Sequence, residues 1–98
     1  MSEPTITREE QATRGRYVAR VDGIDAEAQM TYSRAGPNLI IVDHTEVPDA
    51  FRGQGMGRKL ATRVVEDARK EGFKVFALCP FMNAERQKHP DWADAFQN

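Results

Sequence analysis

The fold of this chain is decided by the stretch Val47-Pro48-Asp49-Ala50-Phe51-Arg52-Gly53-Gln54-Gly55-Met56-Gly57-Arg58, which separates an apolar run from an amphipathic helical pattern. Glycines at alternate positions carry no Cβ, so a ligand can approach the backbone of this loop closely. The helix that follows offers unpaired N–H groups and the positive end of its dipole. These properties favour a phosphate-bearing ligand at the loop.

Two common phosphate-binding loops do not fit this stretch. The ATPase type needs four residues between its glycines and then Gly-Lys followed by Ser or Thr, whereas this loop ends Gly57-Arg58-Lys59. The dinucleotide type needs an acidic residue about 20 positions later, at the end of a second strand. Here Glu71 ends a predicted helix instead, so neither class describes the loop.

The segments around the loop predict alternating strands and helices. Leu39-Ile40-Ile41-Val42 is apolar on successive positions, which is typical of a strand covered on both faces and running toward Val47. After the loop, apolar residues recur at four-residue intervals and predict an amphipathic helix that ends at Gly72. These apolar residues are Met56, Leu60, Val64 and Ala68.

A second strand and a final helix complete this half of the chain. The run 73–79 predicts the strand, and Pro80 suits the first position of a helix that continues to about Lys88. A right-handed crossover makes the two strands parallel. The glycine loop then lies at the carboxyl end of the first strand and Cys79 at that of the second.

The N-terminal half predicts antiparallel strands. Apolar residues alternate with polar ones on both sides of the turn signal Asp22-Gly23, which indicates a β-hairpin, and 35–38 supply the next turn. Residues 1–14 are polar, so we expect a flexible arm with at most an edge strand near Ile6. We therefore predict a single α/β domain over 15–98, with a mixed sheet that ends in a β-α-β-α unit.

The spacing Arg-x-x-Gly-x-Gly, filled by Arg52, Gly55 and Gly57, resembles the acyl-CoA signature of the GNAT acetyltransferase superfamily. The similarity extends from His44 to Trp92, and this segment resembles the small single-domain GNAT-like subfamily. It is carried by His44-Thr45-Glu46-Val47, Cys79-Pro80-Phe81 and His89-Pro90-Asp91-Trp92. The resemblance implies a minimal GNAT-like fold with a splayed parallel strand pair, acetyl-CoA as cosubstrate, and transfer of the acetyl group to an unidentified amine.

The resemblance also implies where coenzyme A binds. The pyrophosphate is expected on the amides of 54–58, and the pantetheine arm between the strands 44–47 and 75–79. Arg52 either contacts phosphate or braces the loop through carbonyl groups. The implied coenzyme-binding residues are Glu46, Val47, Arg52, Gly53, Gln54, Gly55, Met56, Gly57, Arg58 and Asn83.

Three residues are candidates for the chemistry. Cys79 precedes a helix N-terminus, which favours a thiolate that attacks a thioester, although a lone cysteine is also a common core residue. His44 and Glu46 lie two residues apart on a strand and share a face, so either can accept a proton from an amine through water. His44 and Glu46 can each have a structural role instead. His89 is expected to have a mainly structural role.

Two departures from larger GNAT enzymes affect the expected activity. Val21 and Ile24 are joined by a tight turn, with no room for the helices that wall the acceptor site, so an open and poorly defined pocket is expected. Glu85 lies where many relatives have a tyrosine that protonates the leaving thiolate. A non-catalytic acyl-CoA binding or sensing module is therefore the alternative function, and a protein-interaction domain that binds no coenzyme is a third.

Composition adds constraints on partners and compartment. The 98 residues include 14 basic and 15 acidic ones, for a net charge of -1, so no charge excess favours nucleic acid or an anionic membrane. One cysteine cannot form an internal disulfide, and we find no membrane-spanning run or signal sequence. We expect a cytoplasmic monomer or weak dimer that needs no metal ion.

Overall fold

The computed structural model describes residues 4–51 and 53–97 and contains one mixed five-stranded sheet. The strands are β1 (Thr5–Glu10), β2 (Arg14–Arg20), β3 (Glu27–Gly36), β4 (Leu39–Glu46) and β5 (Lys74–Ala77), in that spatial order. The pairs β1–β2, β2–β3 and β3–β4 are antiparallel, and the pair β4–β5 is parallel. The predicted fold class is confirmed, although β5 is shorter than the predicted 73–79.

The helices are α1 (Met56–Glu71), α2 (Pro80–Lys88) and two short 3₁₀ helices, Asp49–Phe51 and Pro90–Ala95. The helix predicted after the glycine loop is confirmed as α1. It ends at Gly72, whose φ of 81° places it in the left-handed region and whose N–H donates to the Ala68 carbonyl at 2.8 Å. This helix termination directs the chain back into β5.

The helices pack together on one face of the sheet. Glu85 of α2 contacts Arg58 in the first turn of α1, and Asp94 of the last 3₁₀ helix contacts Arg69 in its last turn. The core beneath α1 includes large side chains of three strands, among them Tyr17, Met30 and Val42, each fully buried. The carboxyl ends of β4 and β5 therefore open beside the N-termini of α1 and α2.

The N-terminal segment contains the edge strand that the sequence allows near Ile6. Within 1–14, Thr5–Glu10 form this strand, which pairs with β2 over its whole length. Ile6 is the only strongly apolar residue in β1, so alternation of apolar side chains does not define the extent of the strand. Ion pairs hold β1 instead: the Arg8 guanidinium contacts the carboxylates of Asp67 and Glu71 on α1.

A buried polar network joins β1, β2, β3 and α1. The Tyr17 hydroxyl donates to the Asp67 carboxylate at 2.8 Å, and the Tyr32 hydroxyl donates to Glu10 at 2.6 Å. That hydrogen bond, with help from Arg8, lowers the pKa of Glu10 to about 2, so its carboxylate stays anionic near neutral pH. Burial and the Asp67 contact raise the pKa of Tyr17. The network orients the sheet against α1 by direct hydrogen bonds.

The connection between β2 and β3 agrees with its prediction. The Ile24 N–H donates to the Val21 carbonyl at 3.1 Å, and Gly23 has a φ of 88°. No helix is inserted at this turn, so the sheet face opposite α1 is not walled there. Within the described residues, no helix is both long and apolar enough to cross a membrane.

Candidate coenzyme A site

The glycine loop follows β4 and is anchored by one buried aromatic side chain. Phe51 is 1% exposed and closes the 3₁₀ helix, its N–H donating to the Pro48 carbonyl at 3.0 Å. Gln54 N–H donates back to the Phe51 carbonyl at 3.1 Å. The loop is therefore held from inside the core, while Gly53, Gln54 and Gly55 are exposed.

Gly55 sets the start of α1. Its φ of 64° lies in the left-handed region, which a residue with a side chain adopts at a cost of about 1 kcal/mol or more. No side chain caps α1, and the first amides of an α-helix have no acceptor within the helix. The N–H groups of Met56, Gly57 and Arg58 are thus suited to donate hydrogen bonds to an anion, and the positive end of the helix dipole adds to the attraction.

The strands β4 and β5 separate directly beside these amides. Their last pair is Val42 with Ala77, after which both the Leu78 and the Cys79 N–H donate to the single Val42 carbonyl at 3.0 Å. Strand β4 continues to Glu46, paired with β3 alone. The segment from Asp43 to Glu46 therefore presents one edge of its backbone to a wedge between the two strands.

A β-bulge at Asp43 decides which side chains face the helices. Thr31 pairs with His44 and Tyr32 with Val42, so Asp43 is the extra residue of β4. After the bulge, Thr45 pairs with the buried Met30 and faces the helix side. His44 and Glu46 consequently face the other side of the sheet.

Cys79 lies at the base of the wedge. It is 3% exposed and caps α2, its Sγ accepting a hydrogen bond from the Met82 N–H at 3.3 Å. The Thr45 hydroxyl lies 3.4 Å from the same Sγ and bridges the two separated strands. The sulfur therefore has two hydrogen-bonding neighbours, the Met82 N–H and the Thr45 hydroxyl.

Apolar side chains border the opening of the wedge. A Cβ on Gly57 would lie 2.5 Å from Cζ of Phe81, so the Phe81 ring rests directly on the first turn of α1. Phe81 is 36% exposed and Val47, on the other side of the opening, is 38% exposed. An amide-containing chain that enters between them finds apolar walls and a backbone edge to pair with.

This arrangement matches a known family. The sequence model of the GCN5-related N-acetyltransferase family matches residues 16–95 of this chain. The chain belongs to the GCN5-related N-acetyltransferase family. Its fold class is that of the solution structure of a GCN5-like protein from Staphylococcus aureus, with a TM-score of 0.71 and 32% identity, covering 94% of this chain and 88% of that one.

Curated relatives of this acetyltransferase-family chain agree with the assignment. It is 28% identical over 85 residues to Protein NATD1 of Homo sapiens, which covers 87% of this chain and 75% of that protein. It is 29% identical over 86 residues to Protein NATD1 of Xenopus tropicalis, with 88% and 79% covered. The resemblance inferred from the loop and its flanking motifs is confirmed at the level of the family.

The structure also shows the contacts of the other predicted coenzyme ligands in this GNAT chain. Glu46 accepts a hydrogen bond from the Gln29 side chain at 3.1 Å. Asn83, on the first turn of α2, accepts one from Arg86 at 2.8 Å. Arg52 lies outside the described residues. The loop follows Glu46 directly along the chain, whereas Asn83 lies on α2.

Glu85 is buried and ion-paired in this structure. It is 3% exposed, and its carboxylate contacts Arg58 at 3.3 Å and Lys88 at 3.5 Å. His89 lies 3.6 Å from Glu85 and stacks on Trp92, with ring centroids 4.0 Å apart. These contacts connect α2 with the N-terminal end of α1, and Trp92 packs in the core.

Sequence reasoning missed two residues that shape this GNAT site, Asp43 and Thr45. The bulge at Asp43 turns Thr45 to the helix side of the sheet and brings it to Cys79. The available signal was chemical: charged Asp43 and Glu46 follow an apolar run, and a bulge is one way to keep a charged side chain outside.

Proposed function

We propose that this protein binds acetyl-CoA in the wedge between β4 and β5 and transfers the acetyl group to an amine. The observation that carries the proposal is the parting of the strands at Val42 and Ala77 beside the uncapped start of α1. Loop amides take the pyrophosphate, and the freed edge of β4 takes the amides of pantetheine. The thioester then ends near Thr45 and Cys79.

The two candidate proton acceptors on β4, Glu46 and His44, differ in their contacts. Glu46 is hydrogen-bonded to Gln29, whereas His44 is exposed on the face from which an amine approaches. A histidine exchanges a proton readily near neutral pH, so we assign proton acceptance to His44, directly or through water. In the overall reaction the C–N bond forms, the C–S bond breaks, and the proton lost by the amine ends on the thiol of coenzyme A.

Calorimetric titration of the purified protein with acetyl-CoA and, separately, with coenzyme A tests the binding step. We expect heat and thermal stabilisation with both ligands, because the proposed contacts involve mainly the phosphates and pantetheine that the two share. Pantetheine, which carries no phosphate, serves as the control. It should bind at least about tenfold more weakly, since it lacks the charge-assisted contacts to the loop. Absence of heat and of stabilisation with both coenzymes would refute the proposal.

The role of Cys79 is tested by intact mass after incubation with acetyl-CoA. We expect a gain of one acetyl group in the wild type, because Sγ can attack the thioester carbonyl: the bond between Sγ and the acetyl carbon forms, the C–S bond of acetyl-CoA breaks, and the proton of the Cys79 thiol ends on the released coenzyme A. Cys79→Ser should lose the adduct and keep coenzyme binding, since a serine hydroxyl also caps α2. Cys79→Ala removes the cap and should cost about 1 kcal/mol of stability.

No adduct in the wild type would contradict the acyl-cysteine step and leave direct attack by the amine on the thioester. Cys79 would then be a core residue. The ion-paired state of Glu85 favours the alternative function, a non-catalytic acyl-CoA binding module, because it leaves α2 without a free acid at that position. Coenzyme binding without release of thiol across a screen of amines would support that alternative.

A further inference from the structure

Apolar side chains lie on the sheet face opposite α1, directly beside the coenzyme wedge. Ile41 of β4 pairs with Phe76 of β5 on this face, because the neighbouring Ile40 and Val75 are buried on the helix side. Phe76 is 38% exposed, and Leu78, the residue after the last β4–β5 pair, is 61% exposed. Ile41, Phe76 and Leu78 together form an apolar patch that extends to the point where the strands part.

The residues proposed for the chemistry adjoin the apolar patch. Asp43 follows the last strand pair on β4, as Leu78 follows it on β5. The Asp43 carboxylate accepts a hydrogen bond from the Thr31 hydroxyl at 2.6 Å, and Thr31 pairs with the exposed His44. These groups therefore lie on the same face as Phe76. Neighbouring strands are about 4.8 Å apart, so a molecule on the patch reaches the wedge without crossing a strand.

The uncompensated charge at this end of the patch is negative. Asp43 and Glu46 each accept a hydrogen bond from a neutral side chain, and neither has an ion pair in the part of the chain that the structure describes. Arg16, in the same cross-strand row as His44, is held by carboxylates of two strands. Lys74 of β5 donates to a backbone carbonyl of the last 3₁₀ helix. The surface beside the patch therefore attracts a cation and repels a carboxylate.

We infer that the acceptor is a small primary amine that carries an apolar group and no carboxylate. The apolar group packs on the patch, and the ammonium binds beside Asp43 and His44. This assignment rests on the proposed acetyl transfer. The ammonium loses one proton to His44 and from there to water, and the neutral amine then attacks the thioester. The C–N bond forms, the C–S bond breaks, and the second proton ends on the thiol of coenzyme A.

Amide NMR titration of the coenzyme-free protein tests the acceptor class. The probes are phenethylamine, benzylamine and isopentylamine, each matched by the alcohol of the same skeleton, and ethylamine, which lacks a large apolar group. At least one apolar amine should shift the amides of Ile41, His44 and Leu78. Its alcohol and ethylamine should each need at least about tenfold higher concentration, because one lacks the charge and the other the apolar contact.

Three outcomes of the titration would overturn the inference. The first is equal binding of the alcohol or of ethylamine, and the second is the absence of any shift at millimolar concentration. The third is a shift of the same amides when the protein is diluted without ligand, which would show that a second copy of the chain covers the patch.

Two variants separate the apolar contact from the charge. Phe76→Ser should weaken the binding of the apolar amine about tenfold. Asp43→Asn removes the charge while its amide oxygen still accepts from the Thr31 hydroxyl, so the preference for the amine over its alcohol should fall about fivefold. Phe81→Ser is the control for Phe76→Ser, because the Phe81 ring is similarly exposed, at 36%, but lies on the helix side against Gly57. Equal amine affinity in the two serine variants would contradict the patch.

The outcomes separate this inference from the proposed function. Coenzyme binding without binding of any apolar amine would refute the acceptor class and leave the acetyl-CoA proposal intact. Amine binding without coenzyme binding would refute the acetyl-CoA proposal and, with it, the acceptor role of the patch. When both bind, the amine that shifts the patch amides should also release thiol from acetyl-CoA, and Phe76→Ser should raise its KM while leaving kcat largely unchanged.

Discussion

Gly55→Val is expected to abolish measurable coenzyme A binding while the fold persists. The side chain would project from the loop at the start of α1, where no described atom lies within 4 Å of the new Cβ and where the pyrophosphate is proposed to bind. Loss of two charge-assisted hydrogen bonds, each about 1.5 kcal/mol, lowers affinity about 100-fold or more. Titration calorimetry with coenzyme A measures this loss, and circular dichroism monitors the fold.

Gly23→Val provides the matched control for backbone strain. Gly23 also has a positive φ, 88° against 64° for Gly55, and also has open space around a new Cβ. Both variants should lose about 1–2 kcal/mol of stability, because a side chain disfavours the left-handed region. Only Gly55→Val should lose the coenzyme. Unchanged affinity in that variant would count against the loop as the phosphate site.

Asp67→Ala is expected to lower the stability by about 3 kcal/mol, the largest effect we expect from a single polar residue. The substitution leaves the buried Tyr17 hydroxyl without its partner and removes an anion that Arg8 and Arg63 contact. For a domain of this size, the melting temperature should fall by more than about 10 °C. Thermal denaturation followed by circular dichroism measures the change.

Glu66→Ala is the control for Asp67→Ala, because Glu66 is the preceding residue of α1 and is exposed. Its removal should change the stability by less than about 0.5 kcal/mol. In Asp67→Ala, the amides of β1 should also exchange with solvent faster, since one of the two α1 carboxylates that contact Arg8 is gone. Equal melting temperatures for the two variants would show that the buried network contributes little.

The elements with strong local signals were predictable. α1 has a four-residue apolar repeat and a terminal glycine, and the β2–β3 hairpin has alternation on both sides of Asp22-Gly23. Each of these patterns requires only neighbours in the sequence. The loop motif, together with its flanking strands, was sufficient for the family. The splayed pair followed from the family resemblance rather than from periodicity.

The elements with weak local signals were only partly predictable, for an identifiable reason. Strand β1 is held by Arg8 contacts to α1, about 60 residues further along the chain, which no local pattern records. The bulge at Asp43 shifts one residue in the register of β4, so it exchanges the faces of every following side chain. Sequence alternation alone therefore does not reveal that Thr45 faces the helix side.

The sequence by itself determined the loop, the helix that follows it and the strand on each side, because glycine conformations and apolar periodicity act locally. Tertiary structure alone decided that Thr45 meets Cys79, that Glu85 is bound to Arg58, and that the Tyr17 hydroxyl meets Asp67. Those contacts depend on register and on packing between distant elements. Their geometry follows from how the sheet and helices fit together, not from the order of residues in any one segment.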